Sequence, residues 1–107
     1  PYSLNNHEVF LKMENQNPTG SYKDRGTAVL VSFLRSRGVT FAVEDSSGNA
    51  GASFAGYCAR AGIEAQVYVP DSASGPKRTQ IEAYGAQLVA VLGARIAAAK
   101  AVLPAAE

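Results

Sequence analysis

Two short segments of the sequence carry residue types that could do chemistry. In residues 17–26 (NPTGSYKDRG), Lys23 follows a Pro-Thr-Gly turn and lies in the predicted first turn of a helix. In residues 46–51 (SSGNAG), Ser, Gly and Asn follow a short apolar strand and open the next predicted helix. The first segment offers an amine and the second offers backbone N–H groups. A lysine close to anion-binding donors is suited to covalent binding of an aldehyde cofactor.

Lys23 is the candidate nucleophile. The positive end of a helix dipole disfavours the ammonium form of a lysine side chain, and Arg25 acts in the same direction. An uncharged amine can attack an aldehyde and can later move protons. The alternative is a solvated lysine that pairs with Asp24 at the start of a helix. From Lys23 alone, the second interpretation is the commoner one.

The second segment is a candidate anion site. Ligands of open α/β sheets bind at the carboxyl ends of the strands, where helix N-termini accept anions. Ser46, Ser47 and Gly48 can present successive N–H groups, and the amide of Asn49 can donate to a phenolate-type oxygen. The alternative is an ordinary helix cap, because Ser and Asn are favoured there without any ligand. The spacing matches neither a GxGxxG motif nor a P-loop.

These segments are positioned by alternating predicted strands and helices. We expect a first strand over residues 9–14 and a lysine-bearing helix over residues 22–37, with Ser21 as N-cap, Asp24 completing a capping-box-like pair and Gly38 at the end. Further strands are predicted at residues 40–44, 65–69 and 87–91, and further helices at 50–61, 75–84 and 94–103. This alternation predicts an α/β fold: a three-layer βαβαβα unit with a parallel sheet.

Composition narrows the classes of function. The chain has 107 residues, 47% of them hydrophobic, and a net charge of +1 without any basic block. These values predict one modest globular unit and argue against nucleic acid or an anionic membrane as partner. Cys58 is the single cysteine and lies in an apolar helical pattern, so we expect a buried small side chain, no metal site and a cytoplasmic protein. The absence of an initiator Met and the helical C-terminus favour an excerpt of a longer protein.

Taken together, NPTGSYKDRG at residues 17–26 and EDSSGNAG at residues 44–51 closely resemble threonine synthase and its relatives. These belong to the tryptophan-synthase β-like, fold type II family of pyridoxal-phosphate enzymes. The resemblance extends to ARAGI at residues 59–63 and VYVP at residues 67–70, and therefore covers essentially the whole chain. It implies the N-terminal portion of a two-domain enzyme, with residues 1–38 in the larger domain and residues 39–107 in the small domain.

The resemblance also implies roles for individual residues. Lys23 would form the Schiff base with the cofactor aldehyde, and Asn49 would hydrogen-bond the ring hydroxyl oxygen. Residues 47–50 (Ser47, Gly48, Asn49 and Ala50) would receive the substrate carboxylate. Lys77 lies where threonine synthases can carry a lysine that faces the substrate phosphate, although a solvated helix start is the stronger interpretation of Lys77. The family's phosphate-binding loop and its partner of the pyridine nitrogen lie outside these residues.

The function implied is a lyase of threonine biosynthesis that converts O-phosphohomoserine and water to threonine and phosphate, acting on a small amino-acid substrate as a homodimer. Ala50 after Gly-Asn favours this substrate, because serine/threonine dehydratases typically carry His there and cysteine synthases typically carry Thr. A serine/threonine dehydratase or a cysteine synthase is the alternative enzyme. A non-catalytic α/β module is the alternative for the 107-residue chain alone, in which we expect no turnover. If Lys23 and Asn49 share a site, their side-chain nitrogens should lie on the order of 5–10 Å apart.

Overall fold

A computed structural model describes residues 1–46 and 48–107 of the chain. A single turn of 3-10 helix at Glu14–Gln16 precedes the first α-helix. The remaining elements, in chain order, are β1 (Tyr2–Leu4), β2 (His7–Val9), α1 (Lys23–Ser36), β3 (Phe41–Asp45), α2 (Asn49–Ala61), β4 (Glu64–Pro70), α3 (Gly75–Ala83), β5 (Gln87–Val91) and α4 (Arg95–Ala105).

The main sheet consists of three parallel strands in the order β3-β4-β5. Each strand is joined to the next by a helix, α2 between β3 and β4 and α3 between β4 and β5. Parallel strands cannot be joined by a tight turn, so these crossover helices are a requirement of the topology. The predicted α/β fold with a parallel sheet is confirmed.

The core lies between β4 and the helices α2 and α3. Alternate residues of β4 are buried, and Val67 and Val69 are at most 1% exposed. Gly51 of α2 lies so close to β4 that a Cβ built on it would be 3.0 Å from Val67 Cγ1 and 3.1 Å from Ile81 Cδ1. The helix α4 packs across all three strands, and its Arg95 pairs with Asp45 of β3. The sheet is therefore covered by helices on both faces, which explains its apolar strands.

Glycines end the helices where the sequence predicts them to end. Gly62 is the C-cap of α2 with φ +72°, and Gly38 follows the end of α1 with φ +75°. Glycine adopts this left-handed conformation without the steric cost that a Cβ imposes. The predicted bounds of the four helices and of β3, β4 and β5 agree with the structure to within two residues.

The predicted strand over residues 9–14 is wrong. The chain instead forms a short antiparallel hairpin in which Tyr2 pairs with Val9 and Leu4 with His7. Asn5 and Asn6 form the two-residue loop with φ values of 49° and 62°. Two successive left-handed residues suit a hairpin turn of the I′ kind, and Asn tolerates them better than other non-glycine residues. The Asn-Asn pair was the signal for this turn.

The predicted capping pair at the start of α1 is also wrong. Tyr22 is the N-cap residue, and its side chain makes no capping hydrogen bond. Asp24 does not reach back to the start of the helix because its carboxylate points into the protein, toward Thr19 and Ser53. α1 packs along α2. The division of the chain into two domains at residue 38 stays a prediction.

Candidate functional site

Lys23 lies in the first turn of α1, as the sequence predicts, and is the first residue of that helix. Its side chain is exposed, and its Nζ lies 5.2 Å from the centre of the Tyr22 ring. The preceding Pro18-Thr19-Gly20 turn brings the chain into the helix, and Gly20 adopts φ +87° there. A Gly20 N–H to Asn17 C=O hydrogen bond of 2.8 Å closes this turn. The amine therefore stands at the N-terminal end of a helix on a well-defined turn.

Asp24, the residue after Lys23, joins the start of α1 to α2. Only 2% of Asp24 is exposed. Its carboxylate accepts hydrogen bonds from Thr19 N–H at 2.7 Å, from the Thr19 hydroxyl and from the Ser53 hydroxyl at 2.6 Å. Burial by itself raises the pKa of Asp24, but the hydrogen bonds from Ser53 and Thr19 outweigh burial and hold this pKa below its usual value. Asp24 is therefore a buried carboxylate that stays ionised near neutral pH.

The α2 helix begins at the second predicted segment. Gly48 is its N-cap, Asn49 and Ala50 are its first two residues, and Ser47 lies outside the described residues. The buried Ser46 hydroxyl accepts hydrogen bonds from Gly48 N–H at 3.2 Å and from Gly51 N–H at 2.7 Å. The Gly48 N–H, predicted to face a ligand, is thus engaged within the protein. The N–H groups of Asn49 and Ala50 belong to the first helical turn, where no intrahelical acceptor exists.

The two helix starts lie at the same end of the helix pair. Ser53, which donates to Asp24, is one helical turn after Asn49, and Asp24 is next to Lys23. This hydrogen bond joins the first turn of α1 to the second turn of α2. The structure therefore brings together the segments that carry Lys23 and Asn49. The predicted separation of their side-chain nitrogens stays a prediction.

Glu44, near the carboxyl end of β3, responds electrostatically to Lys23. Burial raises the pKa of Glu44 to about 7, and the positive charges of Arg95 and Lys23 oppose that rise. Sequence reasoning used Glu44 only as part of a motif and missed this relation.

Lys77 lies in the first turn of α3 and is half-buried. Its backbone N–H donates weakly to the Ser74 hydroxyl, at 3.4 Å, and its Nζ donates to Gln80 Oε1 at 3.0 Å. Gln80 in turn donates to the carbonyl of Thr19 at 3.1 Å. Lys77 is thus connected through one side chain to the turn before Lys23. Its predicted contact with a substrate phosphate stays a prediction.

Three further features were considered in the sequence: a membrane span, a metal site and the cysteine Cys58. No helix among residues 1–46 and 48–107 has the length and apolar character that a bilayer span needs. Within the same described ranges, no group of three or more His, Cys, Asp or Glu side chains is placed to hold a metal ion. Cys58 is fully buried, and burial raises the pKa of its thiol to about 11, with Glu44 adding to the rise. The prediction that Cys58 is a buried small side chain is confirmed.

The chain is similar to known proteins along most of its length. The family described as "Pyridoxal-phosphate dependent enzyme" matches residues 2–107. Threonine synthase from Synechocystis sp. is 41% identical over 87 residues, which cover 79% of this chain and 22% of the relative. Cysteine synthase B from Escherichia coli is 36% identical over 91 residues, covering 81% of this chain and 30% of the relative. The chain thus spans about a quarter of the length of these relatives.

A solved structure shows the same arrangement of elements. The crystal structure of a hydrogen sulfide-producing enzyme from Fusobacterium nucleatum superposes with a TM-score of 0.80 at 26% sequence identity. The match covers 88% of this chain and 32% of that protein. The fold described above is therefore one found within a longer enzyme.

Proposed function

Because the chain belongs to the family of pyridoxal-phosphate dependent enzymes, we propose that it forms the lysine and asparagine side of the cofactor site in a threonine synthase-like enzyme. The observation that carries this proposal is the hydrogen bond from Ser53 to Asp24. It holds the start of α1, with Lys23, against the beginning of α2, with Asn49. An amine and an amide are thereby presented from two adjoining helix starts.

The residues present fit pyridoxal phosphate. Lys23 offers an exposed primary amine and Asn49 an exposed amide. The Ser21 hydroxyl, two residues before Lys23, is buried and has no hydrogen-bond partner among the described residues. A buried polar atom without a partner is costly, so a ligand group at this place would satisfy it. When bound, pyridoxal phosphate supplies an electron-withdrawing ring that makes the substrate's Cα–H acidic.

The protein's own residues would hold and orient the cofactor and move a proton. Lys23 Nζ would hold the cofactor through its aldehyde, and a free Lys23 amine could accept and return a proton at Nζ. The Asn49 amide would donate a hydrogen bond to the ring oxygen and so orient the cofactor. The N–H groups of Asn49 and Ala50 receive the substrate carboxylate, which the positive end of the α2 dipole favours.

The substrate we propose for the full-length enzyme is O-phosphohomoserine, which reacts with water to give threonine and phosphate. Threonine synthases from several organisms are similar to the chain, among them that of Methanocaldococcus jannaschii at 42% identity over 88 residues. Lys77 would then bind the substrate phosphate. Cysteine synthase is the second candidate, because cysteine synthase B of Escherichia coli is similar over 81% of this chain.

Reductive trapping tests the role of Lys23. The full-length protein is mixed with pyridoxal phosphate, reduced with borohydride and digested, and the modified lysine is located by mass spectrometry. We expect the pyridoxyl group on Lys23 and its absence from the Lys23→Ala variant. Lys100→Ala, which removes an exposed lysine of α4, is the matched control and should leave trapping unchanged. Modification spread over surface lysines, with no preference for Lys23, would refute the assignment.

The substrate is tested by two product assays on the same enzyme. Phosphate release from O-phosphohomoserine, absent from the Lys23→Ala variant, supports the threonine synthase-like activity. Cysteine formation from O-acetylserine and sulfide, without phosphate release from O-phosphohomoserine, supports the second candidate. Because Lys23 trapping does not depend on the substrate, the cofactor assignment and the substrate assignment can fail separately.

A further inference from the structure

The residue after Lys23 has an environment that the proposed chemistry does not explain. Asp24 is buried, yet neither ion pair of the described residues includes it, and all its hydrogen-bond donors are neutral groups. An ionised carboxylate away from water is costly unless its oxygens are well hydrogen-bonded. Three donors from Thr19 and Ser53 meet this requirement. Each of these bonds is charge-assisted and therefore stronger than a bond between neutral groups.

The donors of Asp24 are themselves held in place. Ser53 is fully buried in α2. The Thr19 carbonyl accepts a hydrogen bond from Gln80 of α3, and its methyl lies against α2 at Gly56, where an added Cβ would be only 2.9 Å from Thr19 Cγ2. The turn before Lys23 is thus held by two helices at once. Asp24 connects the first turn of α1 to this rigid assembly.

Among residues 1–46 and 48–107, no hydrogen bond or ion pair anchors the Lys23 side chain in a comparable way. Its side chain is exposed, and the Tyr22 ring 5.2 Å away belongs to the same turn. Neighbouring residues of a helix point about 100° apart, so Asp24 can be buried while Lys23 faces outward. The position of the amine relative to Asn49 therefore depends on how α1 begins. We propose that Asp24 is a positioning residue, which holds Lys23 opposite Asn49 by hydrogen-bonding the Thr19 turn and Ser53.

A carboxylate is required for this arrangement. All three partners of Asp24 donate, and an ionised carboxylate only accepts, whereas an asparagine amide would turn donor atoms toward at least one of them. Asp24→Asn therefore keeps the shape of the side chain and removes part of its anchoring. The proposal rests on the proposed function of Lys23, because Asp24 acts on the cofactor only through that residue.

The first test measures trapping of Lys23 in the full-length protein. At subsaturating pyridoxal phosphate, we expect Asp24→Asn to lower the fraction of Lys23 trapped by borohydride about tenfold, the effect of losing one hydrogen bond to a charged group. Asp71→Asn, which changes an exposed aspartate after β4, should leave trapping unchanged. If Asp24→Asn lowers the midpoint of thermal unfolding but Lys23 of the folded variant is trapped to the wild-type extent, the proposal is overturned. Should Asp24→Asn fail to fold, Ser53→Ala and Thr19→Val each remove one donor and receive the same assay.

The second test needs no cofactor. Carbon-13 NMR follows the titration of the Glu44 carboxyl. The positive charges of Arg95 and Lys23 lower the pKa of Glu44, and Glu44 in turn raises the pKa of the Cys58 thiol. Removal of the positive charge in Lys23→Met should raise the Glu44 midpoint. If Asp24 positions Lys23, Asp24→Asn should raise it too, although loss of a negative charge alone would lower it. A midpoint that falls or does not change contradicts the proposal. If Lys23 of the wild-type protein is not trapped but Asp24→Asn raises the titration midpoint of Glu44, the proposed function fails and the positioning role stands.

Discussion

The two helix starts that carry the candidate site are held in different ways. The start of α1 is held by Asp24, a buried carboxylate whose partner Ser53 is 29 residues away. The start of α2 is held by the Ser46 hydroxyl, which accepts from N–H groups two and five residues on. One start is anchored by a charged, long-range interaction and the other by a neutral, local one.

The starts of α1 and α2 therefore depend on the rest of the molecule to different degrees. A local cap forms whenever the helix forms, so the beginning of α2 should keep its geometry as long as β3 and α2 are present. The beginning of α1 is correctly placed only when α1, α2 and α3 are packed together. We therefore expect the lysine side of the site to respond to changes elsewhere in the protein more than the asparagine side.

The largest effect should come from the side chain at the α2 start. Asn49→Ala in the full-length enzyme removes one charge-assisted hydrogen bond to the cofactor ring oxygen and should weaken cofactor binding by roughly 1.5–3 kcal/mol. Lys77→Ala, at the start of α3, should leave cofactor binding intact and raise only the KM of the substrate. Titration of the apoenzyme with pyridoxal phosphate measures cofactor binding by the two variants, and steady-state kinetics measure the KM. If Lys77→Ala weakens cofactor binding and Asn49→Ala does not, the two roles are assigned the wrong way round.

The next effect concerns packing beneath the α2 start. A Cβ at Gly51 would lie 2.9 Å from Ser46 Cβ and 3.0 Å from Val67 Cγ1. Gly51→Ala should therefore lower the free energy of unfolding by roughly 1–3 kcal/mol, because the core must shift. Gly26→Ala in α1 is the matched control, since nothing lies within 4 Å of its added Cβ, and should stabilise by about 0.5–1 kcal/mol. Urea unfolding monitored by circular dichroism compares the variants. Equal effects of both changes would show that α1 and α2 are packed alike at these positions.

Two carboxylates beside the helix starts should give opposite dependences on pH. The pKa of Glu44 is raised from 4.5 to about 7, so between these values the unfolded chain loses its proton first and stability falls as pH rises. Glu44→Gln should remove that fall, on the order of 2 kcal/mol between pH 5 and pH 8 given the partial exposure of Glu44. The pKa of Asp24 is lowered, so its contribution is present above its usual pKa and is lost on further acidification. Urea midpoints across pH measure both effects, and a flat wild-type profile from pH 5 to pH 8 would contradict the Glu44 assignment.

The smallest effect tests the local cap itself. Ser46→Ala removes the acceptor of the Gly48 and Gly51 N–H groups and should cost about 1 kcal/mol of stability. Ser74→Ala removes the exposed N-cap of α3, whose hydrogen bond with Lys77 N–H is 3.4 Å long. Because this bond is long, Ser74→Ala should lower stability by only about a few tenths of a kcal/mol. Thermal unfolding of the two variants gives the comparison. A larger loss for Ser74→Ala would show that burial does not strengthen the cap at α2.

Local patterns predicted most of the fold. Continuous apolar strands, helices of ordinary length and glycines at helix ends led to the parallel βαβαβα unit and to element bounds within two residues. The N-terminal strand was misplaced because the apolar run after Val9 outweighed the Asn5-Asn6 turn. That hairpin lies on the surface, where no core burial sets the position of a strand.

The candidate site was predicted less completely than the fold. The positions of Lys23 and Asn49 at helix starts were predicted because such starts can be recognised from neighbouring residues alone, while their roles stay predictions. The anchoring of Asp24 was missed because its partner Ser53 belongs to another helix, and a capping pair with Ser21 explained the same spacing equally well. The charge relation between Glu44 and Lys23 was missed for the same reason, since the two residues belong to different elements.

The sequence alone was enough to predict the order of the elements from α1 onward and the helix ends, and to propose a candidate amine and a candidate amide. These properties depend on backbone preferences and on residues a few positions apart. Three properties could be seen only in the tertiary structure. The Asp24 carboxylate is buried and accepts from Ser53, and the Ser46 hydroxyl accepts from the Gly48 N–H. The helix starts that carry Lys23 and Asn49 lie next to each other. Such contacts arise when packing has already brought distant segments together, because a carboxylate leaves water only where donors from those segments replace the lost hydration.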